Sequence, residues 1–519
     1  MLESPQLRAP DDPSGGSFVT GPDPSTVATH RPEAARSKPL AELAAAIPEA
    51  RVRGVAGATV SGLTYRSSEV QPGWMFFCVP GAKVDGHRFG TEACRAGASS
   101  LVVERWLDVD CSQVMVPSTR VAMGPMSAGF FDHPAEHLVL VGVTGTNGKT
   151  TTTYLLEAIF RSAGWVPGIV GTTGVRIDGR PVPFDRTTPE APDLQRLLSQ
   201  MVEEGVGAAA MEVSSHGLHQ HRVDGARFAC SVFTNLSQDH LDYHGTMEEY
   251  FAAKAHLFTP DLSDRAVVNH DSPEGRRLSE RAEVPTMTFG LEYGADLRAT
   301  DVEVSTSGIE FSVEGRRYRS RLRGTFNVYN CLGAIAAARE VGIDGEALSE
   351  GLAALPGVPG RLEPVEAGQR FPVIVDYAHT PDSLQNVLTA LRRLARGRLL
   401  VVFGCGGDRD RDKRSLMGEV ATRLADLSIL TSDNPRSEEP EAIIGQIEAG
   451  ARRGGGAFVV EPDRRAAIRW ALAEARPGDV VLIAGKGHET GQEFRDRTIP
   501  FDDRVVAAEE IAALLGVNP

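Results

Sequence analysis

Short apolar runs that alternate with amphipathic segments dominate the chain from residue 138 onward. The first is LVLVGV, which predicts a buried strand, followed by the loop GTNGKT and an amphipathic helix that ends at Gly164. Further apolar runs predict buried strands at AAAMEVSS, CSVFTNLS and DRAVVNHD. Since strands alternate with helices, the pattern indicates a doubly wound, largely parallel sheet.

The other segments of the chain have different patterns of apolar and polar residues. Residues 40–137 contain shorter strands and Ala/Gly-rich helices, which predict a small α/β domain. The alternating polar stretch LRATDVEVSTSGIEFSVEGRRYRSRL predicts antiparallel strands added to the central sheet. After a Pro- and Gly-rich hinge near 356–362, strand and helix alternate again, and Thr380 before Pro381 is a typical helix start. The predicted domains are 38–137, 138–360 and 361–519.

Length and charge narrow the class of protein. At about 150 residues per domain, 519 residues allow three or four domains. The 54 Lys and Arg against 69 Asp and Glu give a net charge of −15, which argues against a general nucleic-acid binder. No apolar run approaches the roughly 18 residues of a membrane helix, so we expect a soluble protein without a membrane partner.

Cysteine usage and the first residues bear on the cellular compartment. The six cysteines are scattered and form no CxxC pair, so neither a disulfide framework nor a zinc site is expected, and a reducing cytoplasm fits best. Residues 1–37 are rich in Pro, Gly, Ser and charge and lack the apolar core of a secretory signal. We expect this tail to be disordered.

The segment GTNGKTT at 145–151 is the most informative chemical motif. It lies between a predicted strand and a predicted helix, where backbone N–H groups can hold phosphates. Lys149 can then neutralise phosphate oxygens, and the Thr150 hydroxyl can bind Mg²⁺. Val143 stands at the first glycine position of the strict G-x-x-x-x-G-K-[ST] pattern, so the motif predicts a variant P-loop rather than a plain glycine turn.

Polar residues follow the next predicted strands of the same sheet. Glu212 ends one strand and His240 follows another, and the carboxyl ends of strands are where open α/β sheets bind ligands. Near the P-loop, this pair suggests a second divalent ion, whereas without a P-loop His240 would more often be structural. Ser214 and Arg222 suit an anionic substrate. Lys254 lies in the apolar helix EEYFAAKAHLF, where it either extends its ammonium group to water or is buried as a neutral amine able to add CO₂.

The last domain repeats this arrangement at four strand ends. Asp376 to Pro381, GCGGDRD at 404–410, DNPR at 433–436 and GKGHE at 485–489 each follow an apolar strand. Together they present arginines, acids, an asparagine and glycines. Such a mixed set suits a zwitterion that carries both carboxylates and ammonium groups.

These segments resemble the Mur ligase family. The resemblance runs from about Thr59 to the C-terminus and rests on motifs that occur in the family's order: TGTNGKTTT, MEVSSHGLHQHRV, FTNLSQDHLDYHG, the Lys254 helix, NVYNCLGAIAAA, VDYAHTPDSL, FGCGGDRDRDKR, DNPR and AGKGHE. The set is most similar to the branch that adds meso-2,6-diaminopimelate to UDP-MurNAc-L-Ala-D-Glu, for which DNPR is the recognition signature. One departure is Arg66-Ser67-Ser68, where relatives often have Asp-Ser-Arg near the uridine.

The resemblance implies roles for individual residues. It implies that ATP is bound by Gly145, Thr146, Asn147, Gly148, Lys149, Thr150 and Thr151, with Asn327, Asn330, Arg361 and Asp376. It implies magnesium ligands at Thr150, Glu212, His240 and carbamylated Lys254. It also implies that the catalytic residues are Lys149, Glu212, His240 and Lys254. It implies contacts to the UDP-sugar dipeptide or reaction intermediate from Ser67, Thr187, Thr188, Ser214, Gln220, Arg222 and His379. It implies diaminopimelate contacts from Arg409, Asp433, Asn434, Pro435, Arg436, Gly485 and Glu489.

The implied fold has three parts: a small N-terminal α/β domain that binds the UDP-sugar dipeptide, a central P-loop domain with added antiparallel strands, and a C-terminal Rossmann-like domain that binds the amino acid. The implied reaction is a cytoplasmic, ATP-dependent amide ligation through an acyl phosphate, with ATP, Mg²⁺ and CO₂-derived carbamylation of Lys254. Two alternatives are a related amide ligase such as folylpolyglutamate synthase and a nucleotide-binding scaffold that has lost catalysis.

Overall fold

The computed structural model of the chain describes residues 36–55, 57–81, 84–184, 186–305 and 307–516. Most of the tail predicted to be disordered, residues 1–35, lies outside the described residues. Arg36, near the end of that predicted tail, belongs to the fold: its guanidinium is buried and donates hydrogen bonds to Ser199 at 2.8 Å and Glu203 at 2.9 Å.

The N-terminal part is built on a five-stranded sheet in the order β2-β7-β6-β5-β4, in which β4 to β7 are parallel and β2 is antiparallel. Its apolar side chains form a core against α1 and α3. The elements are β1 (Lys38–Pro39), α1 (Leu40–Ala45), β2 (Arg51–Arg53), β3 (Thr59–Val60), β4 (Gly62–Thr64), β5 (Trp74–Phe77), α2 (Gly90–Arg95), β6 (Ser100–Val103), β7 (Ser112–Met115) and α3 (Thr119–Phe130).

A disulfide joins Cys94 and Cys111, whose Cα atoms are 5.8 Å apart. The expectation that the chain contains no disulfide is therefore wrong for this pair. Both cysteines pack at the edge of one apolar cluster, because helix α2 lies beside the turn that leads into β7. This neighbourhood is set by tertiary packing, so the spacing of the two cysteines could not reveal it. The other four cysteines are free and buried.

The central part is an eleven-stranded sheet in the order β11-β10-β9-β12-β8-β13-β14-β15-β16-β17-β18. The neighbouring strands β9-β12-β8-β13-β14-β15-β16 are parallel, and antiparallel strands extend the sheet at both edges. The elements are β8 (Val139–Thr144), α4 (Lys149–Ser162), β9 (Pro167–Gly171), β10 (Gly174–Ile177), β11 (Arg180–Val182), α5 (Ala191–Glu203), β12 (Ala208–Glu212), α6 (Ser215–His219), β13 (Cys230–Phe233), α7 (Leu241–His244), α8 (Met247–Ala255), β14 (Ala266–Asn269), α9 (Pro273–Ser279), β15 (Thr286–Gly290), β16 (Leu297–Ser305), β17 (Gly308–Val313), β18 (Arg316–Ser320), α10 (Phe326–Glu340) and α11 (Glu346–Ala354).

The sequence predicted only one of the two antiparallel additions to the central sheet. Strands β16 to β18 lie in the polar alternating stretch, as expected. The hairpin of β10 and β11 at the opposite edge was missed, although Asp178 and Gly179 form its two-residue turn with φ values of 49° and 78°. An Asp-Gly pair with positive φ at both positions is a strong hairpin signal.

The C-terminal part is a six-stranded sheet in the order β19-β20-β24-β21-β22-β23, parallel from β20 onward. One apolar core includes side chains of α12, α13 and α14, and a second, on the other face, includes side chains of α15 and α16. The elements are β19 (Glu363–Pro364), β20 (Val373–Asp376), α12 (Pro381–Leu394), β21 (Leu399–Phe403), α13 (Asp412–Leu424), β22 (Leu427–Leu430), α14 (Pro440–Gly454), β23 (Phe458–Val460), α15 (Arg464–Glu474), β24 (Val480–Ala484), β25 (Gly491–Glu493), β26 (Thr498–Pro500) and α16 (Asp503–Leu515).

The predicted fold class is confirmed by these three sheets. The predicted start of α12 is also confirmed, since the Thr380 side chain accepts a hydrogen bond from the Ser383 backbone and Pro381 is the first helical residue. Within the described ranges, every helix is too short or too polar to cross a membrane.

Candidate active site

A cleft of about 1620 Å³ lies between the central and C-terminal sheets. Its walls come from loops that follow parallel strands, which is where ligands bind in open α/β sheets. One wall is formed by residues at the ends of β8, β12 and β13 of the central sheet. The opposite wall is formed by residues at the ends of β20, β21, β22 and β24 of the C-terminal sheet. The cleft therefore brings the predicted nucleotide loop and the predicted zwitterion pocket into one space.

The P-loop needs its glycines because neighbouring residues approach it closely. Gly145 has a φ of 145°, and a Cβ there would lie 1.9 Å from the Thr234 hydroxyl oxygen. Gly148 has a φ of 89°, and a Cβ there would lie 2.4 Å from a side-chain oxygen of Asn330. The loop ends at the start of α4, where Lys149 Nζ donates hydrogen bonds to the carbonyl oxygens of Gly145 and Thr146, both at 2.9 Å. The loop thus presents a helix N-terminus and a lysine to the cleft.

Lys254 lies under the P-loop, not at the protein surface. Its side chain is 1% exposed, and Nζ donates a hydrogen bond to the Gly145 carbonyl at 3.0 Å. Burial, helped by the charge of Lys149, holds the pKa of Lys254 well below its usual value. The structure favours the buried, neutral-amine interpretation of this lysine over the solvent-exposed one.

Glu212 and His240 supply a carboxylate and a neutral imidazole to the cleft. Glu212 ends β12 and is held by Thr172, whose backbone N–H and hydroxyl each donate to the carboxylate at 2.9 Å. Burial lowers the pKa of His240 to about 3, so its ring is neutral at physiological pH. With the Thr150 hydroxyl, which also lines the cleft, this donor set fits a hard divalent cation such as Mg²⁺.

Asp239 links the central and C-terminal walls and was not singled out from the sequence. Its carboxylate is buried and lies 3.7 Å from Lys413 Nζ on α13 and 3.8 Å from His379 Nε2. Burial favours the neutral acid, but the nearby His240, Lys413 and His379 outweigh it and lower the pKa of Asp239. The residue stands beside His240 in the motif TNLSQDHLDYHG, but its partners Lys413 and His379 lie in the C-terminal part of the chain.

Two further contacts cross the cleft beside the P-loop. Arg361 donates a hydrogen bond to the Thr150 hydroxyl at 3.0 Å, and Asn147 donates one to Asp382 at 2.8 Å. The Asp376 carboxylate holds the Arg361 segment by accepting from the Leu362 backbone N–H at 2.7 Å. P-loop residues are therefore in direct contact with the C-terminal part of the chain.

A buried carboxylate, Glu190, organises three arginines at the N-terminal side of the cleft. Arg120 and Arg186 each donate to it at 2.6 Å, and Arg222 Nε lies 3.1 Å away. Arg120 comes from α3 of the N-terminal part, so this cluster joins two domains. Of the cluster, only Arg222 was picked out from the sequence.

The opposite end of the cleft mixes acidic and basic groups. Lys486 Nζ donates a hydrogen bond to Asn434 Oδ1 at 2.8 Å, and Asn434 Nδ2 donates one to Glu489 Oε2, also at 2.8 Å. Burial, together with the charge of Asp433, raises the pKa of Glu489. Arg436 donates to the Gly407 carbonyl at 2.9 Å and to Glu493 at 2.7 Å. Lys486, which positions Asn434, was not predicted as a site residue.

Most of the predicted site residues line this cleft. They are Thr146, Asn147, Gly148, Lys149, Thr150, Thr151, Thr187, Thr188, Glu212, Ser214, Arg222, His240, Asn327, Asn330, Arg361, Asp376, His379, Arg409, Asp433, Asn434, Arg436, Gly485 and Glu489. Five others are not among its lining residues: Ser67, Gly145, Gln220, Lys254 and Pro435. Ser67 lies in a short turn of the N-terminal part, at 67–69, and Gln220 donates to Tyr243 at 3.0 Å and accepts from Arg222 at 2.7 Å.

Sequence comparison identifies the protein family. Three family descriptions match in order: "Mur ligase family, catalytic domain" over 59–125, "Mur ligase middle domain" over 143–338 and "Mur ligase, glutamate ligase domain" over 360–487. A protein of Geobacillus thermodenitrificans named UDP-N-acetylmuramoyl-L-alanyl-D-glutamate--2,6-diaminopimelate ligase is 48% identical over 460 residues, which cover 86% of this chain and 94% of that protein. The chain belongs to the Mur ligase family.

Solved structures agree with this assignment to the Mur ligases. A structure described as a UDP-N-acetylmuramoyl-L-alanyl-D-glutamate--2,6-diaminopimelate ligase is 36% identical, with a TM-score of 0.63 and coverage of 88% of this chain and 95% of that one. Folylpolyglutamate synthase of Mycobacterium tuberculosis, complexed with ADP and AMPPCP, is 20% identical with a TM-score of 0.59, covering 77% of this chain and 96% of that one. The second likeness shows a shared fold alone, so the alternative of a folylpolyglutamate synthase is not supported.

Proposed function

We propose that this Mur ligase adds meso-2,6-diaminopimelate to the D-glutamyl γ-carboxylate of UDP-MurNAc-L-Ala-D-Glu, with conversion of ATP to ADP and phosphate. The observation that carries the proposal is the single cleft in which the P-loop faces the DNPR segment. That segment stands beside both a carboxylate and cationic groups, as a substrate with two amines and two carboxylates requires. The high identity to relatives named for this reaction supports the same substrate pair.

The reaction would proceed through an acyl phosphate. The γ-carboxylate attacks the terminal phosphorus of ATP, ADP leaves, and an amine of diaminopimelate then displaces phosphate from the acyl carbon. The P-loop amides and Lys149 would hold the phosphate oxygens, and no protein nucleophile is required. Catalysis then depends on positioning and on charge stabilisation in a site that excludes water.

Mg²⁺ would be held by Thr150, Glu212 and His240, and when bound it would neutralise charge on the phosphate oxygens. Lys254 has the buried, low-pKa amine that carbamylation by CO₂ requires. Its carbamate would add a second carboxylate-like group beneath the P-loop. In the apo protein, the amine donates a hydrogen bond to the Gly145 carbonyl.

The N-terminal side of the cleft would receive the UDP-sugar dipeptide. The arginines gathered around Glu190 offer cationic groups to an anionic substrate, and Thr188 and Ser214 lie beside them. The domains proposed for these tasks are 38–137 for UDP-sugar dipeptide binding, 138–360 for ATP and 361–519 for the amino acid. Because ATP and the amino acid would occupy different domains, the hinge near 356–362 would close during turnover. The proposed location is the cytoplasm.

The test is phosphate release from ATP in the presence of UDP-MurNAc-L-Ala-D-Glu. We expect release to depend on meso-diaminopimelate and to be much slower with lysine at equal concentration. Equal rates with both amino acids would contradict the substrate assignment. Release that never depends on an amine would instead favour a nucleotide-binding protein without ligase activity.

A further inference from the structure

A cluster of two histidines and one carboxylate lies outside the cleft. The ligand atoms of His221, Asp224 and His256 are all within 4.8 Å of one another. None of the three lines the cleft, and none was needed for the proposed reaction. Among the residues that the structure describes, no other His, Cys, Asp or Glu side chains meet this distance criterion in groups of three or more.

The local backbone holds the first two members of the cluster in place. His221 adopts a left-handed conformation with a φ of 54°, which a non-glycine residue adopts only at a cost. Its Nδ1 lies 2.8 Å from Asp224 Oδ2, while the other carboxylate oxygen, Oδ1, is buried and has no hydrogen-bond partner. A buried carboxylate oxygen without a partner is costly in a native structure, and it is a free ligand atom.

The third member of the cluster, His256, lies on a different element. His256 follows α8 directly, at the start of a short turn, and it also lines a small recess of about 310 Å³. The histidine rings of His221 and His256 have centroids 6.3 Å apart, so both can approach one ion with only rotamer adjustment. Arg120, a cation whose charge acts on His221, is held by Glu190 through a hydrogen bond of 2.6 Å.

We propose that His221, Asp224 and His256 form a binding site for a divalent transition metal of the Zn²⁺ class. Two imidazoles and one carboxylate are ligands that Zn²⁺ and its neighbours prefer, whereas a site that favours Mg²⁺ has more oxygen than nitrogen ligands. Water would complete the coordination. The site is distinct from the proposed magnesium site in the cleft and does not depend on the proposed reaction.

The location suggests what the ion would do. His221 and Asp224 flank Arg222, which contacts Glu190 at the substrate side of the cleft. His256 lies two residues beyond Lys254. A bound metal would therefore join the segment that carries Arg222 to the end of the helix that carries Lys254, and would fix both from outside the cleft.

The test uses Co²⁺ as a visible probe for Zn²⁺, in the full-length protein with excess Mg²⁺ to fill oxygen-rich sites. The variants are Asp224→Asn and His256→Gln, and the matched control is His137→Gln, which removes an exposed histidine elsewhere. We expect wild type and control to bind one more Co²⁺ per chain than the two variants, or to bind it at least about 10-fold more tightly. That Co²⁺ should show a d–d absorption that Zn²⁺ abolishes.

A second measurement separates metal binding from a folding defect. On addition of Zn²⁺, hydrogen exchange in peptides that cover 218–226 and 252–258 should slow in wild type and control but not in the two variants. Circular dichroism reports whether each variant is folded. Equal Co²⁺ uptake and spectra in all four proteins, or no uptake by folded wild type, would overturn the proposal.

Discussion

Replacing Lys413 with methionine tests how the C-terminal domain docks on the central domain. Lys413 Nζ lies 3.7 Å from Asp239 Oδ1, and the two side chains are only 7% and 6% exposed. At an effective dielectric constant of about 20, such a pair attracts by about 4–5 kcal/mol before the cost of removing both charges from water is subtracted. Methionine keeps most of the length of the side chain but leaves the Asp239 carboxylate without this partner.

Loss of one member of a buried pair costs about 3–5 kcal/mol. Asp239 keeps the neutral imidazoles of His379 at 3.8 Å and His240 at 3.3 Å as polar neighbours, so we expect a value near the lower end, about 3 kcal/mol. Since the two residues belong to different sheets, this cost acts on domain docking rather than on the folding of either domain. It corresponds to a shift of about 100-fold in the equilibrium between docked and open arrangements.

Small-angle scattering and steady-state kinetics measure this shift. Lys413→Met should increase the radius of gyration of the unliganded protein and lower kcat/KM for diaminopimelate by up to about 100-fold. Arg423→Met, at an exposed position of the same helix, should change neither quantity. In a double-mutant cycle, Asp239→Asn should add less than its single effect to Lys413→Met. An unchanged radius and unchanged kinetics in Lys413→Met would refute the reasoning.

Three further changes test other parts of the site. Lys254→Ala should abolish phosphate release, and acetate should restore part of it while bicarbonate should not; full activity in this variant would exclude a carbamate role. Arg436→Ala should raise KM for diaminopimelate by at least about 10-fold, because charged hydrogen bonds contribute about 1.5–3 kcal/mol, and KM for ATP should stay within error. Equal effects on the two KM values would show that Arg436 does not contact the amino acid. Arg464→Met should lower the free energy of unfolding by about 3–5 kcal/mol in denaturant titrations, since Arg464 and Asp503 are both fully buried and hydrogen bonded. Arg465→Met, on the same helix but 43% exposed, is its control, and a loss as large as that of Arg464→Met would contradict the buried-pair explanation.

The strand ends of the site could be predicted because the geometry of parallel sheets is general. Glu212, Asp376 and Asp433 each end or directly follow an apolar strand, and all three line the same cleft. The carboxyl ends of parallel strands meet at one edge, so sequence order alone indicated which polar residues would be neighbours. Each half of the site could therefore be predicted without knowing the angle between the domains.

Contacts that depend on tertiary packing could not be predicted in this way. The pairing of Asp239 with Lys413 and of Cys94 with Cys111 depends on how separate elements pack, and neither pair has a characteristic spacing. Glu190 is a similar case, since its importance arises from Arg120 of another domain. The missed hairpin at Asp178 and Gly179 differs, because its turn signal was present in the sequence.

The distribution of charge explains how an acidic protein can bind the anionic substrates proposed for it. The whole chain carries a net charge of −15, but the described lining of the cleft contains ten Lys or Arg against nine Asp or Glu. The cations Lys149 and Arg222 lie toward the proposed nucleotide and UDP-sugar ends, while the proposed amino-acid end has the acids Asp433 and Glu489 together with the cation Arg436. At physiological salt, charges more than about 8 Å away are largely screened, so a substrate inside the cleft experiences this local balance rather than the net charge. The local arrangement of charges at each end of the cleft, more than the net charge of the chain, would therefore select the substrate bound there.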